Sequence, residues 1–365
     1  MATTGEYLVG TTIGEGAFSQ VLHARHKVSE RDVAIKVIAK VTLNKNPYIL
    51  KRILREQNLL QQLKDSEYVV NLWASFHDTE CCYFVMECTT GGDLKQVMRE
   101  AMKNKSSPEN SSASLSAWYK SIPHYGRQIV EAVHHIHSRN IIHCDLKPDN
   151  ILCKTNGQIQ LGDFGCAVEL NTPHRSEKCE EYRPKHTSKA ANLLGTADYV
   201  CPELLRGTAE GDLTVAVDMW SLGCIFYALW FGQSPFHAPS DSLAIEKIIK
   251  YVNNRATNDA SELLFYDKYG SHLKHEHDCQ SNIEKFDLCL SKEWKVLIGL
   301  LLEDCPTARL GSTQESLLSL LDNSVWDGLD LSKKPPFVPP EAPWVSRSVN
   351  NAMRDGKQGW AAFML

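Results

Sequence analysis

His143-Cys144-Asp145-Leu146-Lys147-Pro148-Asp149-Asn150 lies near the middle of the 365-residue chain, between two apolar runs. Within eight residues it carries a carboxylate, an ammonium and a carboxamide. Asp145 has the chemistry to accept a proton from a hydroxyl, and Lys147 to neutralise charge on a phosphate in transit. Asn150 offers an oxygen to a divalent metal. Thirteen residues further on, Asp163-Phe164-Gly165 supplies a second metal-binding carboxylate and a residue that lets the backbone turn. Together these groups suit phosphoryl transfer to an alcohol.

Upstream, Ile13-Gly14-Glu15-Gly16-Ala17-Phe18-Ser19-Gln20-Val21 places two glycines between strand-forming residues. Such a hairpin brings backbone N–H groups close to phosphates, because no Cβ intervenes. The third position of the G-x-G-x-x-G pattern is Ser19, so an ordinary hairpin turn fits this stretch equally well. The next strand, Val33-Ala34-Ile35-Lys36-Val37-Ile38, carries a single lysine. A helix follows, with Ile49, Ile53, Glu56, Leu60 and Leu63 recurring at three- and four-residue intervals. A glutamate among apolar positions is costly unless paired. Lys36 is its natural partner, and the pair would aim the ammonium at the α- and β-phosphates of a nucleotide.

Two further strands, Tyr68–Phe76 and Cys82–Met86, lead into Glu87-Cys88 and a Thr-Thr-Gly-Gly segment that fits a hinge. Met86 would wall the back of an adenine pocket, and the backbone of Glu87 and Cys88 would hydrogen-bond the base. Val21, Ala34 and Leu152 suit either the sandwiching of that base or plain core. Tyr119–Ser138 is an amphipathic helix. Ser/Asn-rich Met102–Ser116 reads as a loose insertion. Glu203 and Arg309 are isolated charges beside apolar runs, which points to a buried pair. Asp218 opens the most apolar helix and would anchor the stretch at residue 143 from below.

Composition narrows the alternatives. Hydrophobic residues make up 43% and charged residues 23%, an ordinary globular balance. The net charge of −5 makes no case for a nucleic-acid or membrane surface. The longest apolar run, Met219–Phe231, is too short to cross a bilayer. Met1–Glu6 is short and polar, unlike a signal peptide. The twelve cysteines show no metal-type CxxC pairing and read as reduced thiols of a cytoplasmic protein. His134, His135, His137 and His143 read as helix-end and core residues. His275, His277 and Cys279 lack a second half for a zinc site.

In this order, the Gly-rich turn, Lys36, Glu56, Asp145, Asn150, Asp163-Phe-Gly, Cys201-Pro202-Glu203, Asp218 and Arg309 resemble the eukaryotic protein kinases over about residues 7–315. The Asp-Leu-Lys-Pro-Asp-Asn form is that of the Ser/Thr enzymes. Within them the chain resembles the AGC group and, in it, the phosphoinositide-dependent kinases. Gly14–Ser19, Leu194–Leu205 and Ser324–Leu329 with Pro335-Pro336 carry that likeness.

The resemblance implies an α+β bilobal fold. A β-rich small lobe would span 7–88. A helical large lobe would span 89–327, with insertions near 103–117, 171–190 and 253–283, and a tail 328–365 would follow. It implies ATP as substrate, Mg²⁺ held by Asp163 and Asn150, and Thr196 bridging the catalytic Asp145 and Lys147. Protein substrates, among them other AGC kinases, would dock in a small-lobe groove of a monomeric enzyme.

Departures accompany the likeness. The family carries a lipid-binding domain, for which a chain ending at Leu365 leaves no room. An arginine that binds a phosphorylated substrate tail is replaced by Gln57. The arginine that clamps an activation-loop phosphate is replaced by Cys144, and the phosphoacceptor position is Asn192, with Thr187 and Ser188 as other candidates. The tail's Trp360 and Phe363 match either a hydrophobic motif that folds back on the small lobe or a plain apolar terminus. Three functions follow: an activator of AGC kinases, a related kinase with other basic-motif substrates, or a catalytically silent scaffold. The full set of catalytic side chains disfavours the third.

Overall fold

A computed structural model describes residues 3–16, 19–45, 47–103, 111–170, 197–206, 213–255, 290–342 and 344–345. They fall into two compact units, one β-rich and one helical, the α+β organisation expected from the sequence. The first unit combines the chain up to Val97 with Ile151–Gly165 and the segment from Val338. The second combines Met98–Asn150 with Cys166–Phe337.

The first unit is built on an antiparallel sheet of β1 (Tyr7–Glu15), β2 (Ser19–His26), β3 (Asp32–Ala39), β4 (Leu72–His77) and β5 (Cys81–Glu87), in the order β1-β2-β3-β5-β4. Alternation in β3 divides its residues between two faces. Val33 and Ile35 join Tyr7, Ala24, Tyr83 and Val85 in a buried cluster on one face. On the other, register sets Val21 opposite Lys36 and Ala34 opposite Met86. Directly opposed residues share a face, so the proposed base-sandwiching residues and the lysine are presented together.

Helix α1 (Lys40–Lys45) precedes α2 (Pro47–Gln62). The stripe read from the sequence, Ile49, Ile53, Glu56, Leu60 and Leu63, is buried. The β4 strand is shorter than expected. Val69 and Val70 lie instead beside β8 (Ile159–Leu161), which pairs with β7 (Ile151–Cys153) in a hairpin. The Val70 N–H donates to the Leu161 carbonyl and the Leu161 N–H to that of Tyr68. Local alternation cannot distinguish these partners, because both satisfy the same backbone groups.

In the second unit, α3 (Leu94–Lys103), which begins in the first, is followed by α4 (Ser111–His137). The expected loose insertion is therefore corrected: Met102–Lys103 end α3, and residues 111–116 are the first turns of α4. Trp118 explains the extension. It is fully buried and its Nε1–H donates to the Leu229 carbonyl, so the helix is fixed there. Extending a fixed helix costs little per residue even through a polar stretch. Residues 104–110 and 171–190, and 256–283 of the third expected insertion, lie outside the described residues. Residues 253–255 close helix α6, introduced below.

Helix α5 (Ala216–Phe231) is buried over almost its whole length, as a helix apolar on all sides must be. It ends on Gly232, whose φ of 85° closes the Ala228 carbonyl. Helices α6 (Asp241–Arg255), α7 (Lys292–Leu301) and α8 (Gln314–Leu321) complete this unit, with a short turn of helix at Pro202–Arg206. Arg309 has a fully buried side chain that grips Glu203 at 2.7 and 3.0 Å and donates to the carbonyls of Ala216, Glu303 and Asp304. Its guanidinium also lies over the Trp220 ring, 5.2 Å from the centroid. The pair expected from two isolated charges is thus a five-bond hub, and it holds the Pro202–Arg206 turn against α5.

Candidate active site

In the first unit, Lys36 Nζ donates to Glu56 Oε1 at 2.6 Å and to Asp163 Oδ1 at 2.9 Å. Strand β3 supplies the lysine and α2 the glutamate, while Asp163 follows β8. Burial disfavours the ammonium, but Glu56 and Asp163 outweigh it and hold the Lys36 pKa well above its usual value. The same burial pushes the Glu56 carboxyl up, against the pull of Lys36. The 2.6 Å contact and the second carboxylate on the ammonium keep Lys36 in its charged form. Asp163 has a φ of 53°, a conformation that costs a non-glycine residue about 1 kcal/mol or more and recurs at functional positions. Its side chain remains 51% exposed, unlike those of Lys36 and Glu56. Arg52, one turn before Glu56, donates to the Gly165 carbonyl at 3.0 Å and steadies the segment after Asp163. The sequence reading missed that contact. Its only signal was a basic residue four positions before the glutamate.

In the second unit, the stretch at 143–150 is fixed from Asp218, whose side chain is fully buried. Its Oδ2 accepts the His143 N–H at 2.8 Å and its Oδ1 the Cys144 N–H at 2.9 Å. His137 Nε2 donates to Oδ2 at 2.8 Å. Burial pushes the Asp218 carboxyl up, but these donors, His137 foremost, hold it below the ordinary carboxylate range. His137 therefore orients the anchor, a task its place at a helix end did not suggest. Cys144 has a φ of 63°, and its backbone is held there by the carboxylate. Its thiol is buried and pushed well above the usual value by desolvation and then by Asp218. A neutral thiol there cannot clamp a phosphate.

Beyond this bend, Lys147 Nζ lies 2.9 Å from Asp145 Oδ2 and 3.2 Å from Oδ1. Asn150 Nδ2 donates to the Asp145 carbonyl at 2.8 Å and to its Oδ2 at 3.0 Å. The turn of helix at Pro148–Asn150 sets this spacing, with the Asn150 N–H on the Lys147 carbonyl. Asp145 is thus a carboxylate gripped by one ammonium and one amide. That arrangement fits a base that receives a proton beside a cation that steadies phosphoryl oxygens.

The remaining candidates divide by position. Ile13, Gly14 and Glu15 end β1, and Gly16, whose N–H donates to the Ser19 carbonyl at 2.8 Å, closes the turn into Ser19 and Val21 of β2. Ala17, Phe18, Asn192, Thr187, Ser188 and Thr196 lie outside the described residues, as do His275, His277, Cys279, Trp360 and Phe363. Ala34 and Met86 are buried, and Leu152 is half-buried in β7. The Glu87 N–H is already donated to the Asn71 carbonyl at 2.9 Å. A base would be read there by the Glu87 carbonyl or by Cys88.

For Mg²⁺, each expected donor has suitable chemistry within its own unit. In the first, Asp163 presents a half-exposed carboxylate; in the second, Asn150 spends its amide nitrogen on Asp145, so its carbonyl oxygen is the atom it would offer. Mg²⁺ takes oxygen ligands, keeps several waters and rarely needs an all-protein cage. Among the described residues no cluster of three or more His, Cys, Asp or Glu side chains forms such a cage.

Comparison with known proteins agrees with this chemistry. Residues 7–319 match the family model described as Protein kinase domain. The chain belongs to the protein kinase family. Two relatives are 34% identical to this kinase. Human 3-phosphoinositide-dependent protein kinase 1 aligns over 248 residues, 67% of this chain and 39% of that protein. Serine/threonine-protein kinase PKH2 of Saccharomyces cerevisiae aligns over 245 residues, 67% of this chain and 21% of that protein. Serine/threonine-protein kinase PKH3 of Eremothecium gossypii is 28% identical over 345 residues, 90% of this chain and 44% of that protein. The kinase matches between about a fifth and a half of the length of these relatives. Their names agree with the resemblance to phosphoinositide-dependent kinases read from the sequence. No helix among the described residues is long and apolar enough to cross a membrane.

Proposed function

We propose that this chain is a serine/threonine protein kinase that transfers the γ-phosphate of ATP to hydroxyls of protein substrates, other AGC kinases among them. The observation that carries this reading is Asp145 held between Lys147 and the Asn150 amide on a backbone anchored by Asp218. Lys36, fixed by Glu56, binds the α- and β-phosphates. The Gly14–Val21 hairpin covers them, and Val21, Ala34, Met86 and Leu152 enclose the base. Asp145 accepts the proton of the attacking hydroxyl as its oxygen bonds to the γ-phosphorus, while the bond to the β-bridging oxygen breaks and ADP leaves with that electron pair. Lys147 steadies the charge on the transferring group. Mg²⁺ held by Asp163 and Asn150 would supply charge neutralisation at the phosphates.

The test is phosphoryl transfer to an activation-loop peptide and to a generic basic peptide. Asp145→Asn should lower kcat at least about a hundredfold, the usual worth of a positioned base. Retained transfer in that variant would sink the mechanism, and preference for the generic peptide would favour the other-substrate reading.

A finer reading concerns control. Cys144 is a buried neutral thiol in place of the phosphate-clamping arginine, and the expected acceptor is Asn192, so activity needs no phosphate at 192. Phosphatase-treated enzyme should keep its rate, and a collapse would refute this. Docking is also altered. Gln57 Nε2 donates to Ser75 Oγ at 2.6 Å, a neutral bond in place of phosphate binding. Ile49 is buried and unavailable to a partner, whereas Leu50 and Leu54 stay exposed for an apolar substrate tail. A cytoplasmic monomer is the state that goes with this reading.

A further inference from the structure

Glu87 closes β5, and its carboxylate receives donors from two other segments of the first unit. Asn71 Nδ2 donates to Oε2 at 3.0 Å and Gln160 Nε2 to the same oxygen at 3.2 Å. Lys154 Nζ lies 2.8 Å from Oε1. Two of these donors are themselves held in place. Asn71 Oδ1 accepts the Asp65 N–H at 2.9 Å, which turns its amino group toward Glu87, and the Asn71 carbonyl accepts the Glu87 N–H. Gln160 is almost fully buried in the middle of β8. Burial pushes the Glu87 carboxyl up, but Lys154, Asn71 and Gln160 together hold it below its ordinary value, so the clamp is charged at neutral pH.

Four residues further on, the chain is pinned again. The Gly91 N–H donates to the Cys153 carbonyl at 3.0 Å, and the Cys153 N–H to the Gly92 carbonyl at 2.8 Å. Glycine is needed at 91, where a Cβ would lie 2.5 Å from the Cys153 oxygen. The stretch 87–92 therefore hangs between two attachments to one rigid element, the β7–β8 hairpin. That hairpin carries Leu152, and Asp163 follows its second strand by two residues. A carboxylate with three donors, two of them held in place, at one end and a backbone pair at the other is more than packing requires. A bare apolar contact would bury the same strand end without the desolvation cost of a charge.

We propose that Glu87 is a positioning residue for the nucleotide. Its side chain fixes the base-reading backbone of 87–88 at one spacing from the hairpin that bears Leu152 and leads into Asp163. The inference rests on the kinase reading above. Preorganisation of this kind lowers the ordering cost of binding, so it acts on nucleotide affinity and leaves the chemical step alone.

The test uses the full chain with Glu87→Gln, Lys154→Met and Lys154→Arg. Two readouts apply: the Kd for a fluorescent ADP analogue, and the separate KM values for ATP and peptide with kcat. Glu87→Gln keeps the shape but turns an amide nitrogen toward donors, and should raise Kd and the KM for ATP about fivefold or more, with kcat within about twofold. Lys154→Met should raise both about two- to threefold, and Lys154→Arg should restore them. The KM for peptide should not move. Lys154 is partly exposed, so its variants remain informative if Glu87→Gln fails to fold. Unchanged ADP affinity in Lys154→Met would overturn the inference, as would a joint fall of kcat and both affinities, which marks a purely structural role. A wild-type chain that binds no ADP would overturn the kinase reading, and this inference with it.

Discussion

Replacing Asp218 by Asn tests whether one buried carboxylate holds the catalytic stretch in place. The native side chain is fully buried and accepts three donors: His143 N–H and His137 Nε2 at Oδ2, and Cys144 N–H at Oδ1. An asparagine is the same size but supplies one acceptor. Placing its nitrogen at the Oδ2 position would oppose two donors, so the cheaper rotamer puts it at Oδ1, facing the Cys144 N–H. That leaves a buried donor unmade, at about 1–3 kcal/mol, and weakens two charge-assisted bonds to neutral ones at a further ~1 kcal/mol or so. The sum is a loss of about 2–4 kcal/mol in folding free energy. Cys144 also sits at a φ of 63°, and the bond that holds it there is the one that fails. Asp145 is the next residue, so its carboxylate should lose its fixed direction. Urea denaturation followed by tryptophan fluorescence reads the stability, and peptide phosphorylation reads kcat, expected to fall about tenfold or more. A variant within about 0.5 kcal/mol of wild type, with kcat within twofold, would refute the anchoring role.

Other expectations are as direct. Arg309→Lys keeps the charge but cannot form a bidentate grip on Glu203 while reaching three carbonyls; it should cost roughly 3 kcal/mol in chemical denaturation, and a loss under about 1 would contradict the hub. Gly91→Ala forces a Cβ to 2.5 Å from the Cys153 carbonyl and should lower stability by about 1–3 kcal/mol, read by thermal unfolding; wild-type behaviour would mean that the segment yields freely. The pH dependence follows from Asp218, whose carboxyl is depressed in the folded state. A depressed carboxyl stabilises in its ionised form, so its contribution is complete above the ordinary value near 4 and is lost as pH falls below that toward the native value. Stability should decline in that window, more steeply than in Asp218→Asn; equal slopes would show that the group plays no part.

What the sequence discloses depends on charge. Lys36, Glu56, Glu203 and Arg309 stand out because a charge in an apolar neighbourhood must find a partner, and each of these does. The stretch at 143–150 is legible because its three chemical groups sit within eight residues and its anchor is another isolated charge. The clamp on Glu87 is different. Asn71 and Gln160 are neutral amides that look like ordinary surface residues until three separate segments are brought together. The same holds for His137, whose bond to Asp218 spans 81 residues. Helix α4 begins earlier than its composition suggests, because the deciding residue, Trp118, acts through a carbonyl 111 residues away. Strand-boundary errors such as that at Tyr68–Asn71 arise where two partners would satisfy the same backbone groups.

Cys144 and other described cysteines differ in how readily they can be labelled. Cys144 is buried and neutral, and burial likewise pushes up Cys153, Cys201 and Cys224. Cys305 is the contrast: it is exposed, and the Thr307 hydroxyl together with backbone N–H groups draws its pKa down. Alkylating reagents react with thiolates, so among these five they select Cys305 and leave the loop at Cys144 untouched. A dye attached there would report on the folding of the helical unit while the catalytic groups stay unmodified.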